Sequence, residues 1–207
     1  MFWQEIQKGF AAMSPLEILG TITGLASVWL TVRRNIWCWP IGLISVVAYA
    51  ILFYQVKLYA DAGLQVFFFV TSIQGWYWWL KGSNSGGELP VTRLTAQQQL
   101  ILALVTIVCV AIVGWAFMSY TDAHLPFWDA AAAGVSVTAQ AIMLRKKIEC
   151  WPLWLGVDVL YVGIYIYKKL YLTAGLYAIF LVLAAIGWQE WIQAEKAQSS
   201  DDRVPAR

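Results

Sequence analysis

The sequence has little charge for its length. Only 13% of its 207 residues are Asp, Glu, Lys or Arg, whereas 60% are hydrophobic. A soluble domain usually carries about 25% charged residues, because charge solvates a surface that faces water. The shortage excludes an ordinary soluble domain and predicts a protein whose surface faces lipid. The formal net charge of +2 gives no reason to expect a nucleic-acid partner.

Cysteine and histidine are also scarce. The three cysteines have no C-x-x-C spacing, and the one histidine, His124, has no cysteine or histidine beside it. Neither a disulfide framework nor a metal site is therefore expected. The hydrophobic segments contain no Ser/His or Cys/His pair, and the sequence has no G-x-x-x-x-G-K-[ST] loop. We therefore expect a protein that is not an enzyme, with no catalytic residues and no cofactor.

Long hydrophobic segments dominate what is present. A membrane-spanning helix needs about 20 mostly apolar residues, and sometimes about 17. Seven segments meet this requirement: 16–32, 37–55, 59–80, 98–119, 127–144, 150–167 and 171–192. The sequence therefore predicts an all-α, polytopic protein of seven transmembrane helices in the lipid bilayer.

The remaining segments are polar. Residues 1–15 contain a short stretch that suits an interfacial helix. The Gly- and Ser-containing segment 81–97 predicts a flexible linker. Residues 193–207 form a polar tail, which we expect to be disordered from Ala194 onward.

The basic residues are divided unevenly between the two ends of the seven segments. Ten of the 14 Lys and Arg residues fall on one side and four on the other. Positive residues concentrate in cytoplasmic loops. We therefore expect the C-terminus, which lies on the more basic side, to be cytoplasmic.

The chain repeats itself after 112 residues. Asn35–Trp79 aligns without a gap on Lys147–Trp191, and 18 of the 45 pairs are identical. This predicts two parallel three-helix repeats, residues 16–80 and 127–192, joined by a linker and a fourth helix in 81–126. Such a 3+1+3 arrangement is that of SWEET proteins, and repeats around a central site are typical of transporters. The alternative is a duplication that only built a stable bundle.

An acidic residue interrupts the sixth segment. Asp158 lies near its middle, and Trp151, Trp154 and Tyr161 share its helical face at spacings of three and four residues. A carboxylate among aromatic rings suits a flat organic cation, because the rings add cation–π attraction to the opposite charge. The alternative is a structural Asp bonded to a neighbouring helix. The first repeat has Val46 at the equivalent position, so the second repeat supplies the charge.

The third segment carries a second candidate face. Gln65, Phe68, Ser72 and Trp76 lie on one side of this helix. Gln65 can both donate and accept hydrogen bonds, so it suits an amide or a sugar hydroxyl. Gln74 is rotated by roughly 180° from Gln65, so we expect Gln65 to face the site. For any one aromatic residue, anchoring at the membrane interface is the alternative.

Several stretches resemble the Pnu vitamin transporters. They are LYADAGLQVFFFVTSIQGWYWW at 58–79, PFWD at 126–129, ECWPLWLGVDV at 149–159 and IYKKLYLTAGLY at 166–177. The resemblance covers about 16–192 and implies the 3+1+3 bundle in a bacterial inner membrane. It also implies uptake of nicotinamide riboside by facilitated diffusion, with trapping by phosphorylation in the cytosol.

The resemblance also implies site residues. The third-segment signature matches Gln65 and Phe68 followed by Gly75-Trp76, and the sixth-segment signature matches Trp151, Trp154 and Asp158. With Ser72 and Tyr161 from the two helical faces, these residues make up the predicted substrate site.

The substrate itself stays open at this point. Ser45, Ser72 and Ile186 stand where the nicotinamide riboside branch is expected to have Asn. Thiamine, carried by another branch, is the alternative, because both vitamins are flat, positively charged and phosphorylated after entry. An intramembrane enzyme is a remote alternative. Assembly into a homo-oligomer is neither predicted nor excluded.

Overall fold

The computed structural model describes residues 9, 11, 13–55, 59–82, 87–120, 126–167 and 170–201. Its helices are α1 (Pro15–Val32), α2 (Cys38–Gln55), α3 (Tyr59–Lys81), α4 (Ala96–Tyr120), α5 (Pro126–Met143), α6 (Cys150–Tyr167) and α7 (Tyr171–Asp201). Each helix corresponds to one of the hydrophobic segments, so the all-helical prediction is confirmed. The predicted N-terminal interfacial segment lies almost wholly outside the described residues.

Most of these helices are apolar enough to cross a membrane. By length and composition, five qualify: α1, α2, α6, α7 and the Ala96–Trp115 part of α4. The two others, α3 and α5, contain more polar side chains within their length, among them Gln65 and Ser72 on α3 and Ser136 and Gln140 on α5. The chain is a multi-pass membrane protein.

Helix starts follow local sequence. The Ser14 hydroxyl accepts a hydrogen bond from the Glu17 backbone N–H at 3.2 Å, and Pro15 fits the first turn of α1 because its missing N–H has no partner there. Both α2 and α6 begin with Cys-Trp-Pro, which places Pro40 and Pro152 in the first turn in the same way.

The helices pack as a ring. Neighbouring pairs are α1 with α2, α2 with α3, α3 with α5, α5 with α6, α6 with α7, and α7 with α1. Helix α4 packs against α5 from outside this ring. The central space of the ring is where the inward faces of six helices meet.

Four tryptophans close one end of the ring. Trp39, Trp79, Trp151 and Trp191 are at most 7% exposed, and we call this layer the tryptophan floor. It lies at the end that carries loops 33–37 and 144–149, which we call the basic end. Trp39 meets Trp79 edge-on with ring centroids 5.3 Å apart, and Trp151 meets Trp191 in the same way at 5.3 Å.

Glycines let the tryptophan floor pack closely against α3 and α7. A Cβ atom at Gly187 would lie 2.5 Å from the Trp151 ring. A Cβ atom at Gly75 would clash with the Trp39 ring in the same manner. The absence of a side chain at Gly75 and Gly187 therefore lets α3 approach α2 and α7 approach α6 closely.

Cationic side chains pack on tryptophan rings at the basic end. The Lys146 Nζ atom is 4.4 Å from the centroid of the Trp79 ring, and the Arg145 guanidinium is 3.6 Å from that of Trp78. These cation–π contacts anchor the loop between α5 and α6 to α3. Burial lowers the pKa of Lys146, although nearby Glu88 acts in the opposite direction.

Geometry matches at positions 112 residues apart. Arg34 and Lys146 both have left-handed backbones, with φ of 55° and 49°. Helices α2 and α6 begin and end at equivalent residues, Cys38 with Cys150 and Gln55 with Tyr167. These correspondences support the predicted parallel repeats, which stay a prediction.

The segment before α4 differs from its prediction. Residues 87–95 were expected to be part of a flexible linker, but they lie across the basic end. Val91 is buried in the core, the Thr92 N–H donates to Lys146 O at 3.1 Å, and the Ile148 N–H donates to Thr92 O at 3.0 Å. A single β-bridge and a buried side chain therefore fix this part of the linker.

The C-terminal segment also differs from its prediction. Disorder was expected from Ala194, but α7 continues as a helix to Asp201. The Arg93 Nε atom donates to both carboxylate oxygens of Glu195 at 2.8 Å, so an ion pair joins this extension to the linker. The expectation of disorder is wrong for this stretch.

Candidate functional site

A cavity of about 1160 Å³ lies inside the ring, lined by all six ring helices. Trp39 and Trp151 of the tryptophan floor bound one end. Gly63 and Leu170 line the other end, and both are exposed, so the cavity opens there. Small-molecule sites typically occupy about 300–1,000 Å³, so there is room for one organic ligand and water.

Most of the predicted site residues line this cavity. They are Gln65, Phe68, Ser72, Trp151, Trp154, Asp158 and Tyr161. The exception is Trp76, which packs against the hydrophobic core near the tryptophan floor and is not in the lining. Gln65 faces the cavity, as expected, whereas Gln74 lies on the exposed outer side of α3. That these residues contact substrate stays a prediction.

Asp158 lies halfway along α6 with its carboxylate at the cavity. It is 5% exposed and makes no hydrogen bond or ion pair with another residue in the described part of the chain. Buried polar groups normally have partners, because desolvating them without one is costly. The alternative of an Asp bonded to a neighbouring helix therefore finds no partner among the described residues.

A stack of tyrosines stands beside this carboxylate. The Tyr177 ring of α7 lies 4.6 Å from the Tyr161 ring and 5.3 Å from the Tyr165 ring, centroid to centroid. All three tyrosines line the cavity. Along α6, Tyr161 lies about one turn and Tyr165 about two turns from Asp158 towards the open end. Their π faces offer a surface for a flat ligand, and aromatic faces attract cations.

Sequence reasoning missed the contribution of α5. Ser136 and Gln140 line the cavity and are 4% and 5% exposed. Together with Asp129 they recur at spacings of seven and four residues, which places all three on one helical face. A search of segment 127–144 for uncharged polar residues on one face would have found them.

The cavity has two walls of different character. The lining of α3, α5 and α6 forms the polar wall, and that of α7, α1 and α2 forms the apolar wall. The serine and threonine hydroxyls on the apolar wall are already bonded: Ser27 donates to Cys38 O at 2.8 Å, and Thr31 to Ser27 O at 2.9 Å. Ser45 likewise donates to Gly20 O at 2.7 Å.

Apart from Asp129 near the open end, five Gln, Ser and Asp side chains of the polar wall face the cavity. None of these five side chains makes a hydrogen bond to another residue of the described chain. These residues are Gln65, Ser72, Ser136, Gln140 and Asp158. The wall therefore offers one negative charge and several neutral donors and acceptors to a ligand.

Comparison with known proteins identifies the family. A model of the nicotinamide mononucleotide transporter family matches residues 14–193. The chain belongs to this family. Its relatives include the nicotinamide riboside transporter PnuC of Escherichia coli (strain K12), which is 30% identical over 94% of this chain and 92% of the relative.

Other matches extend the comparison. The riboflavin/roseoflavin transporter RibM of Streptomyces davaonensis is 27% identical over 84% of this chain and 83% of its own. A crystal structure of the vitamin B3 transporter PnuC superimposes with a TM-score of 0.75. That match covers 95% of this chain and 90% of the other at 23% identity, so it shows the shared fold. The relatives of this chain are thus named for different substrates.

Proposed function

We propose that the protein carries nicotinamide riboside into the cell by facilitated diffusion, with phosphorylation in the cytosol trapping the substrate. Family membership and the named substrate of the Escherichia coli relative support this proposal. The observation that carries it is Asp158, a buried carboxylate in a cavity lined by aromatic rings that has no partner among the described residues.

The charge of the cavity favours a positively charged substrate. Asp129 and Asp158 are the carboxylates in its described lining, which contains no Lys, Arg or His. A cation within the bilayer is costly unless an opposite charge accompanies it. Asp158 would compensate the pyridinium ring, while the tyrosine stack would contact the face of that ring.

Thiamine is the alternative substrate, because it is also a flat cation and Asp158 suits it equally. Riboflavin, which the Streptomyces davaonensis relative is named for, has no positive ring. It would leave the Asp158 carboxylate buried without a counter-charge, so we place it behind the two cations.

We further propose that the protein lies in the bacterial inner membrane as two parallel three-helix repeats around the site. The ten-to-four division of basic residues supports a cytoplasmic C-terminus. A C-terminal reporter that fluoresces only in the cytoplasm should therefore light up. A dark reporter on a fully expressed protein would reverse the orientation.

Uptake into liposomes tests the transport proposal. Purified protein should let labelled nicotinamide riboside enter until internal and external concentrations are equal. Imposed sodium or proton gradients should not raise the final level, because few acids line the cavity. Accumulation above the external concentration under such a gradient would exclude facilitated diffusion. Uptake of thiamine or riboflavin in place of nicotinamide riboside would change the substrate but not the class.

A further inference from the structure

Gln140, the polar cavity-lining residue of α5 nearest the tryptophan floor, has no hydrogen-bond partner among the residues that the structure describes. Gln140 is 5% exposed, lines the cavity, and makes no side-chain hydrogen bond to any other residue of the described chain. Neither amide atom of Gln140 is among the fully enclosed polar atoms that lack a partner, so the amide is reached from the cavity. A Gln amide offers two donors and an acceptor, so this one is available to a molecule that enters the cavity.

Polar side chains on the two faces of α5 differ in their hydrogen bonding. On the outward face, Thr138 is bonded to Thr106 of α4 at 2.8 Å and to Gly134 O at 2.9 Å. On the inward face, Ser136 and Gln140 are one helical turn apart, and both are left for the cavity. The outward threonine is thus hydrogen-bonded within the protein, whereas the inward Ser136 and Gln140 are available to a molecule in the cavity.

The inward pair is also absent from the equivalent helix of the first half. Positions 112 residues earlier are Gly24 and Val28 on α1. Gly24 is tightly packed there, since a Cβ atom would lie 3.0 Å from the Ser45 Oγ atom. The same bundle position is therefore built without an amide, so packing of the ring does not require Gln140.

Gln140 lies closer to the basic end than Asp158, so it could contact the other end of a ligand that is held at Asp158. Gln140 lies three residues from the end of α5, and Asp158 lies eight residues from the start of α6. At a rise of 1.5 Å per residue, these positions are about 5 Å and about 12 Å from the basic end. Gln140 therefore lies between the Asp158 carboxylate and the tryptophan floor.

We propose that Gln140, with Ser136 beside it, is a specificity-determining residue that binds the uncharged hydrogen-bonding part of the substrate. This part is the carboxamide or the ribose hydroxyls of nicotinamide riboside, while Asp158 binds the positive ring. The inference rests on the proposed function, which supplies the substrate. A Gln side chain can pair with either group, because it donates and accepts.

Calorimetric titration of the purified, full-length protein tests this role. Gln140→Met keeps the length and approximate volume of the side chain and removes its hydrogen bonds. We expect it to bind nicotinamide riboside about 10- to 100-fold more weakly, since the ligand group would be buried without its partner. Thr138→Val is the matched control on the same helix, and its affinity should stay within about twofold of the parent, because Thr138 faces α4.

Two ligand fragments distinguish the group that Gln140 binds. Methylated nicotinamide carries the cation and the carboxamide without ribose, and pyridinium riboside carries the cation and ribose without the carboxamide. If Gln140 binds the carboxamide, Gln140→Met should weaken only the first fragment. If it binds the ribose, the variant should weaken only the second. Either pattern supports the proposal.

Other outcomes overturn the inference or the proposed function separately. A folded Gln140→Met variant that binds nicotinamide riboside as tightly as the parent overturns the inference alone. Equal weakening of both fragments also overturns it, because the residue would then act through the structure. If the parent binds only thiamine or riboflavin, the proposed substrate is wrong, and the inference stands only if Gln140→Met weakens that vitamin. A parent that binds none of the three overturns both.

Discussion

The two walls of the cavity come from equivalent helices, yet they differ in what they offer a ligand. Asp158 and Gln140 on the polar wall stand where the apolar wall has Val46 and Val28. The floor below shows the opposite behaviour, because its tryptophan pairs have the same geometry in both halves. Packing positions are thus alike in the two halves, whereas cavity-lining positions have diverged, so binding chemistry is asymmetric within a nearly symmetric scaffold.

The largest expected effect concerns the floor, where the two halves should respond alike. Gly75→Leu and Gly187→Leu each place a side chain in space held by a tryptophan ring, Trp39 or Trp151. Overpacking typically costs about 1–3 kcal/mol and more where the neighbours cannot move. We expect both variants to lose the monodisperse peak in size-exclusion chromatography in detergent. Gly63→Leu is the control, because a Cβ atom there meets open space. A stable fold in only one of the two floor variants would contradict the equivalence of the halves.

The walls, in contrast, should respond differently to a change of charge. Asp158→Asn removes the negative charge while keeping size and hydrogen bonding. At partly screened depth the lost attraction is worth about 1–3 kcal/mol, so affinity for a cationic vitamin should fall roughly 5- to 150-fold. Thermal stability should not fall, because the substitution removes a buried charge that is costly within the bilayer.

The control for this change lies on the other wall. Val46→Asp places a carboxylate at the equivalent position, where we expect it to lower stability without improving binding. Calorimetric titration and a thermal-shift assay measure the two effects. If Asp158→Asn is folded and binds as tightly as the parent, the acid is structural and the α6 face is not the cation site.

Two serine substitutions, one on each wall, should have smaller effects that distinguish a role in binding from a role in folding. Ser45→Ala on the apolar wall removes a hydrogen bond to Gly20 O, so it should cost about 1 kcal/mol of stability and leave affinity unchanged. Ser72→Ala on the polar wall removes a hydroxyl that has no partner among the described residues, so it should weaken binding about two- to fivefold and leave stability unchanged. Thermal shift and titration of both variants give the comparison. The reverse pattern would show that the walls have been assigned the wrong way round.

The smallest effect is expected at the basic end, away from both walls. Arg93→Gln removes the ion pair with Glu195 on the extension of α7. Arg93 is half exposed, so the pair should contribute less than about 1 kcal/mol, and less at high salt. A thermal-shift series over salt concentration checks this. A large, salt-independent loss would mean that Arg93 has a further structural role.

Hydrophobic patterning accounts for the parts of the fold that could be predicted. The ends of α1, α6 and the start of α7 lie within a residue of the predicted segments, because uninterrupted apolar runs determine them. Asp158 was found because a charge inside an apolar run is conspicuous. Ser136 and Gln140 were missed because uncharged polar residues interrupt such a run only weakly.

The linker and the C-terminal extension could not be predicted for a different reason. Composition describes local preference, whereas residues 87–95 are fixed by a β-bridge to Lys147, more than fifty residues away in sequence. The extension of α7 is polar but rich in Ala, Glu, Gln and Lys, which are strong helix formers. Polarity was therefore a poor guide to disorder there. Trp76 shows the related limit that a shared helical face does not determine which of its residues reach the cavity.

The central claim is that the polar wall binds the substrate, and an experimental structure of the protein with nicotinamide riboside bound tests it most directly. We expect the pyridinium ring within about 4–6 Å of the Asp158 carboxylate, the range over which an opposite charge acts strongly. We also expect the carboxamide or ribose to point towards Gln140. A ligand on the apolar wall, or outside the cavity, would contradict the claim.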